Sequence, residues 1–164
     1  MKQIGEVSIP TIISESEVEE AALEILSGLD YDYLYGPDIA PDAEDAERED
    51  FGSVVLPFRL KAAIDSLNQN IPKEAREEAI KKVLRAESQD FVHNNCSFHK
   101  MLVNGVDVEY QGQDGETVYD KVWLFDFAKP EENDFLAVNQ FTIIEKGNNR
   151  RPDIIFLLTG CRWL

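Results

Sequence analysis

Asn133-Asp134-Phe135-Leu136-Ala137-Val138-Asn139-Gln140-Phe141-Thr142, followed a turn later by Arg150-Arg151-Pro152-Asp153-Ile154-Ile155-Phe156-Leu157-Leu158, is the stretch that decides the fold of this chain. Ile154 to Leu158 is a short, continuously apolar run, the pattern of a strand buried on both faces. An Asp at the head of such a strand is costly, because a carboxylate beside a dry core has to be paired, hydrogen-bonded or bound to a metal. Asp153 is therefore expected either to pair with Arg150 or Arg151 or to act as a metal ligand. A hard divalent cation takes several oxygen ligands, so the second reading needs another carboxylate. The best donor is on the first predicted helix, where Glu15 and Glu19 stand at i and i+4 on one edge.

Outward from that stretch, extended patterns dominate the second half of the chain. Val106-Asp107-Val108-Glu109-Tyr110 alternates, Gln113 to Glu116 reads as a turn, and Val118 to Phe127 is a second extended run, together a β-hairpin. Phe135 to Ile144 is a third extended run, and Gly147-Asn148-Asn149 a turn. The first half has helical spacing. Ser14 and Glu17 form a capping box ahead of the stripe Val18, Ala22, Ile25, Leu26 and Leu29, which predicts a helix over 14–29. Further helices are predicted over 53–69 and 73–87, the last supported by Glu77 and Glu78 placed four residues before Lys81 and Lys82. Tyr31 to Tyr35 reads as a short strand ended by Gly36-Pro37. The expectation is one α/β domain over residues 1–164, with a mixed, mostly antiparallel sheet flanked by helices.

The formal charge is −16, and residues 1–50 carry two basic and fifteen acidic residues. The densest part, residues 37–50, holds two prolines and closely spaced like charges and is expected to be an acidic, solvated loop. No apolar run is long enough to span a bilayer, and the N-terminus has no signal-peptide pattern, so the expected location is the cytoplasm, with no membrane partner and with Cys96 and Cys161 reduced. Phosphate-cradling glycine loops are absent, which leaves ATP binding within this chain unsupported, and no G-x-S-x-G occurs. His93, Cys96 and His99 hint at zinc, but on a helix the ends of that span face different sides, so ordinary polar or packing roles are expected.

Taken in order, the motifs become specific. A Ser14-Glu15-x-x-Val18-Glu19 helix start, Leu67-Asn68, Asn104-Gly105-Val106, Phe125-Asp126-Phe127, Asn133 to Thr142 and Arg151-Pro152-Asp153-Ile154-Ile155-Phe156 together resemble the N-terminal nuclease domain of the restriction (R, or HsdR) subunit of type I restriction enzymes, from about Ser14 to about Gly160. The resemblance implies a restriction-endonuclease-like PD-(D/E)xK fold and metal-dependent phosphodiester hydrolysis. In that fold the Asp of the P-D, a Glu beyond it and often a Glu on the first helix hold the metal, expected to be Mg2+. Pro152-Asp153 match the P-D element, and Glu19, with Glu15 or Glu20 as fallback, matches the helix acid. The implied partners are DNA, approached through Lys146, Arg150 and Arg151, and the methyltransferase and specificity subunits of the restriction complex. ATP would enter only through motor domains outside this chain.

The chain departs from the family pattern after the Thr159-Gly160 turn. The family continues into a second apolar strand ending in E-x-K, whereas this sequence reads Cys161-Arg162-Trp163-Leu164 with no E-x-K. The expectation is a truncated or frameshifted end, a missing last core strand, a bare edge along residues 154–158 and an isolated chain that is a poor nuclease. The −16 charge supports a competing reading, an acidic DNA-mimic or anti-restriction protein, and a non-catalytic interaction module is a third.

Overall fold

The computed structural model describes residues 14–85 and 90–162. Among these residues four α-helices, α1 (Glu15–Ser27), α2 (Pro57–Leu67), α3 (Lys73–Leu84) and α4 (Phe91–Asn104), are combined with eight strands. The central sheet has the order β1 (Asp32–Tyr35), β4 (Phe135–Asn139), β7 (Ile154–Leu158), β8 (Cys161–Arg162). β1 runs parallel to β4, and the other two pairings are antiparallel. Two hairpins stand apart from it, β2 (Val106–Gln111) with β3 (Thr117–Val122) and β5 (Ile143–Glu145) with β6 (Asn148–Arg150). The α/β class and the mixed, mostly antiparallel sheet agree with the sequence reading.

The elements differ from expectation where one residue type intervenes. The third extended run is broken at Gln140, whose φ of 54° turns the chain so that Phe141 drops fully into the core before β5 begins. β3 stops at Val122, short of the expected Phe127, because the buried Asn68 side chain takes over the pairing. Its Oδ1 accepts from the Trp123 N–H at 2.7 Å and its Nδ2 donates to the Trp123 carbonyl at 2.8 Å, as a neighbouring strand would. Asn133 repeats the device on Asp126, accepting from its N–H at 2.7 Å and donating to its carbonyl at 2.9 Å. α2 starts at Pro57 and not at 53, with proline at its first helical position. α3 ends at Leu84, and the expected residues 86 and 87 lie outside the described residues. α4 has no counterpart among the predicted elements. It carries His93, Cys96 and His99 along its length, and among the described residues no three His, Cys, Asp or Glu side chains gather as a metal site.

Two apolar clusters sit on the sheet. Leu60, Ile64, Ala75, Ala79 and Leu102 from the helices pack with Val106, Val108, Val122 and Leu124 of the hairpin region and reach Leu158 and Cys161. Leu56, Leu136, Val138, Phe141 and Leu157 form the second cluster with Ile39. The acidic segment 37–50 has neither helix nor strand, yet it is anchored by Ile39 in this cluster, by the ion pair of Glu47 with Arg59, and by Arg48, 3% exposed. The Arg48 guanidinium lies 3.8 Å from the centre of the Phe141 ring and donates to the carbonyls of Ser53 and Thr142. A buried cation at its root holds a segment whose exposed acids would otherwise repel one another.

The edge expected to be bare is partly covered. Cys161 and Arg162 pair with Leu158 and Leu157 as β8, and an isolated bridge joins Val55 to Cys161. Trp163 and Leu164 lie outside the described residues. The Thr159-Gly160 turn is buried under α2: the Leu56 N–H donates to the Gly160 carbonyl at 2.7 Å, and a Cβ at Gly160 would stand 2.7 Å from Leu56 O and Leu60 N. With a φ of 76° as well, the position requires glycine.

Candidate active site

The C-terminal ends of β1 and β4 and the N-terminal end of β7 lie side by side, because β1 and β4 are parallel and β7 runs against them. Gly36 lets β1 leave the sheet there. Its N–H donates to the Asn139 carbonyl at 2.8 Å, and a Cβ would meet Asn139 O, Gln140 O and Phe141 Cα at 2.7–2.8 Å. Helix α1 lies over this end of the sheet. Its capping box is formed as the sequence predicts, with Ser14 and Glu17 bonded reciprocally, and the serine hydrogen bonds hold the Glu17 carboxyl below its ordinary pKa.

Glu19, half-buried on α1, accepts from Asn139 Nδ2 at 2.9 Å and from Gln140 Nε2 at 3.1 Å. Asn139 is oriented in turn by the Tyr33 hydroxyl, which donates to its Oδ1 at 2.9 Å. Burial raises the Tyr33 pKa, and the neighbouring Glu19 charge raises it further. Gln140 connects the two predicted acids: its side chain donates to Glu19, while its backbone N–H donates to the Asp153 carbonyl at 2.9 Å. The left-handed Gln140 backbone makes this possible, at a cost of about 1–2 kcal/mol for a residue with a Cβ.

Asp153 is exposed at the head of β7. Neither Arg150 nor Arg151 pairs with it, so the structural alternative raised by the sequence is not what the side chain adopts. Glu15 and Glu20 are exposed on α1, and neither contacts Asn139 or Gln140. Lys146, Arg150 and Arg151 border a surface cleft of about 700 Å³ with Ile143, Asn148, Pro152 and one acid, Glu145, which lies 3.8 Å from Lys146 Nζ; the cleft stands immediately ahead of Asp153 in the chain. The structure thus draws Glu19 and the Asp153 backbone onto one residue, Gln140, and leaves Glu15 and Glu20 out.

Sequence reasoning missed Asn139, Gln140 and Tyr33 as members of this end. The signal was present: two carboxamides interrupt an otherwise apolar strand, and polar groups at a strand end beside a core need partners.

A mixed four-stranded sheet with flanking helices, a first-helix acid and a P-D strand head at one end defines a restriction-endonuclease-like α/β domain. The chain belongs to the family of the type I restriction enzyme R protein N terminus, whose model matches residues 12–162. The match includes β8, two residues past the limit expected from the motifs. The chain is 35% identical over 150 residues to the type I restriction enzyme HindI endonuclease subunit of Haemophilus influenzae, covering 91% of this chain and 14% of that protein. It is 34% identical over 146 residues to the putative type I restriction enzyme MjaIXP endonuclease subunit of Methanocaldococcus jannaschii, covering 87% of this chain and 14% of that protein. The chain therefore spans about one-seventh of the length of these curated relatives. Among the described residues no helix is long and apolar enough to cross a membrane.

Proposed function

We propose that this chain is the DNA-cleavage domain of an ATP-dependent type I restriction enzyme, hydrolysing phosphodiesters with Mg2+ held by Asp153 and Glu19. In this reading the methyltransferase and specificity subunits are the partners of the intact subunit, and ATP is used by its motor. The observation that carries the proposal is Gln140, bonded through its backbone to Asp153 and through its side chain to Glu19.

The donor set fits a hard cation in kind, since both groups are carboxylates and Asp153 makes no ion pair with the neighbouring arginines. Among the described residues no group of three acids, His or Cys gathers there. When bound, the cation supplies charge stabilisation at the scissile phosphate and a more acidic water. Asn139 and Gln140 fix the Glu19 carboxylate through their amide N–H groups. Lys146, Arg150 and Arg151 neutralise phosphates beside Asp153, countering the −16 charge of the chain as a whole.

Calorimetric titration with MnCl2 tests the site. Weak binding is expected, lost in Asp153→Ala and reduced in Glu19→Ala, and an affinity that Asp153→Ala leaves intact would remove Asp153 from the site. With Mg2+ or Mn2+, the 164-residue chain is expected not to cut plasmid DNA at a measurable rate, whereas a subunit continuing through an E-x-K strand and its motor cuts in an Asp153-dependent manner. Robust Asp153-dependent cutting by the short chain would show that the E-x-K residues are dispensable.

A further inference from the structure

On the far side of the hairpin, α3, α4 and the β2–β3 pair enclose a cleft of about 670 Å³ to which none of the candidate site residues contributes. Among the described residues four cations line it, Lys82, Arg85, Lys100 and Lys121, against a single carboxylate, Asp107. In a chain of net charge −16 such a concentration of positive charge runs against composition. The acid is already spent: Lys121 Nζ lies 2.7 Å from Asp107 Oδ1, which holds the Asp107 carboxyl below its ordinary pKa, and Lys82 donates to the Asp107 carbonyl at 2.7 Å while pairing with Glu78. Arg85 and Lys100 are exposed, and among the described residues their side chains have no ion-pair or hydrogen-bond partner. Gly105 closes helix α4 at the floor of the cleft with a φ of 74°, and a Cβ there would press on Lys121 at 3.2 Å.

We propose that this cleft is a second anion site, in which Arg85 and Lys100 grip backbone phosphates of duplex DNA while the Lys82 and Lys121 pairs hold the walls. The proposal rests on DNA being the substrate and adds a contact made by residues other than those of the proposed cleavage site. Charge complementarity selects a polyanion: two cations of different geometry face one opening, and among the described residues neither has a carboxylate partner. The acidic segment 37–50 contributes no residue to the lining.

The test is duplex binding by the 164-residue chain, followed by fluorescence anisotropy over a range of KCl concentrations. Each phosphate contact contributes about 0.9 to the slope of log affinity against log salt, so Arg85→Ala with Lys100→Ala should lower its magnitude by about 1.8. The charge-preserving pair Arg85→Lys with Lys100→Arg should keep the slope. Both side chains are exposed, so an unchanged urea midpoint is expected to show that the fold is intact. An unaltered slope in the alanine pair overturns the cleft, as does a chain that binds no duplex at low salt. If Arg150→Ala with Arg151→Ala abolishes binding while the cleft pair does not matter, the cleft fails and the active-site reading stands. If the cleft pair lowers the slope while Mn2+ binding proves independent of Asp153, the cleft stands and the active-site reading fails.

Discussion

β4 and β7 are closed at both ends by the same backbone device, and the side chains at the two ends are placed differently. At one end the Asp153 carbonyl accepts from the N–H of Gln140, which ends the partner strand with a φ of 54°; at the other the Asp134 carbonyl accepts from the N–H of Thr159, which ends its strand with a φ of 50°. Each strand is thus preceded by an Asp and followed by a left-handed residue other than glycine. The side chains part company. Asp134 is part-buried and held by Arg59 at 3.3 Å, and Arg59 also grips Glu47 at 2.8 Å. Thr159 is 1% exposed, with its hydroxyl turned in to the Leu158 carbonyl, and Gly160 beside it lies under α2. Asp153 is exposed, and the Gln140 side chain spends itself on a second acid, Glu19. An Asp at the head of a buried strand is structural where an arginine reaches it and remains available for chemistry where none does.

The largest expected effect is at the packed end. Gly160→Ala would force a Cβ to 2.7 Å from two backbone atoms of α2 at a positive φ, and should cost about 3 kcal/mol in urea-induced unfolding. A cost below about 1 kcal/mol would mean that α2 can lift from the turn, and that this end is less rigid than its contacts imply.

Next comes the contrast between the two aspartates. Arg59→Ala leaves Asp134 and Glu47 together without their cation in a part-buried setting, and should cost about 2 kcal/mol, below the usual figure for a fully buried pair because each side chain keeps 24% of its surface. Asp153→Ala should move stability by no more than about 0.5 kcal/mol, as expected of an exposed side chain without an ion-pair partner among the described residues. Equal losses would erase the distinction between the ends.

A smaller effect with the opposite sign sharpens it. Gln140→Gly keeps the backbone donor to Asp153 and removes the strain of a Cβ at a φ of 54°, so the chain should gain up to about 1 kcal/mol while losing the amide that holds Glu19. Thr159→Gly relieves similar strain but opens space in the core, and should be destabilising in the same thermal-unfolding assay. A gain at Thr159 and a loss at Gln140 would reverse the assignment of the packed end and the proposed active-site end.

Much of this was legible in advance because it rests on local rules. The Ser14-Glu17 cap, the β2–β3 hairpin and the strand at β7 follow from spacing, whereas the expected burial of β7 on both faces fails at Phe156, which is 42% exposed, and Asp153 is exposed and so escapes the burial cost that the sequence argument assigned to it. What was not legible depends on groups distant in sequence. The extended run through Phe127 gave no sign that Asn68, 55 residues earlier, would capture Trp123. Nothing around Asp153 showed that Arg150 and Arg151 would point elsewhere, nor that Arg59 would serve Asp134, 75 residues away. The acidic segment has the composition of a solvated loop, and Arg48 reads as one more charge until Phe141 is placed against it. On the first helix the pattern could not choose among Glu15, Glu19 and Glu20. The choice depends on which acid faces Asn139 and Gln140, and Glu19 does.

The smallest effect tests whether Arg59 fully compensates the Asp134 end. Burial is the strongest influence on that carboxyl, and the charges of Asp32 and Glu47 add to it; Arg59 pulls the other way and is outweighed, so the folded-state pKa lies above the ordinary 3.8. Well below 3.8 both folded and unfolded chains carry the proton, and the group contributes no pH dependence. Between 3.8 and the raised value the folded chain keeps a proton that the unfolded chain has released, so stability falls as pH rises through this window. Above it the penalty is constant. Asp50 and Asp107, lowered by their hydrogen bonds, run the other way and lose stability on acidification, so the raw profile mixes both signs. Subtracting the urea midpoints of Asp134→Asn from those of the unaltered chain at each pH isolates the one group. The difference should decline as pH climbs out of the acid range and then level. A difference that rises instead would mean that Arg59 outweighs burial, making the ion pair a net stabilising contact and Asp134 the better-satisfied of the two strand-head acids in energy as well as in geometry.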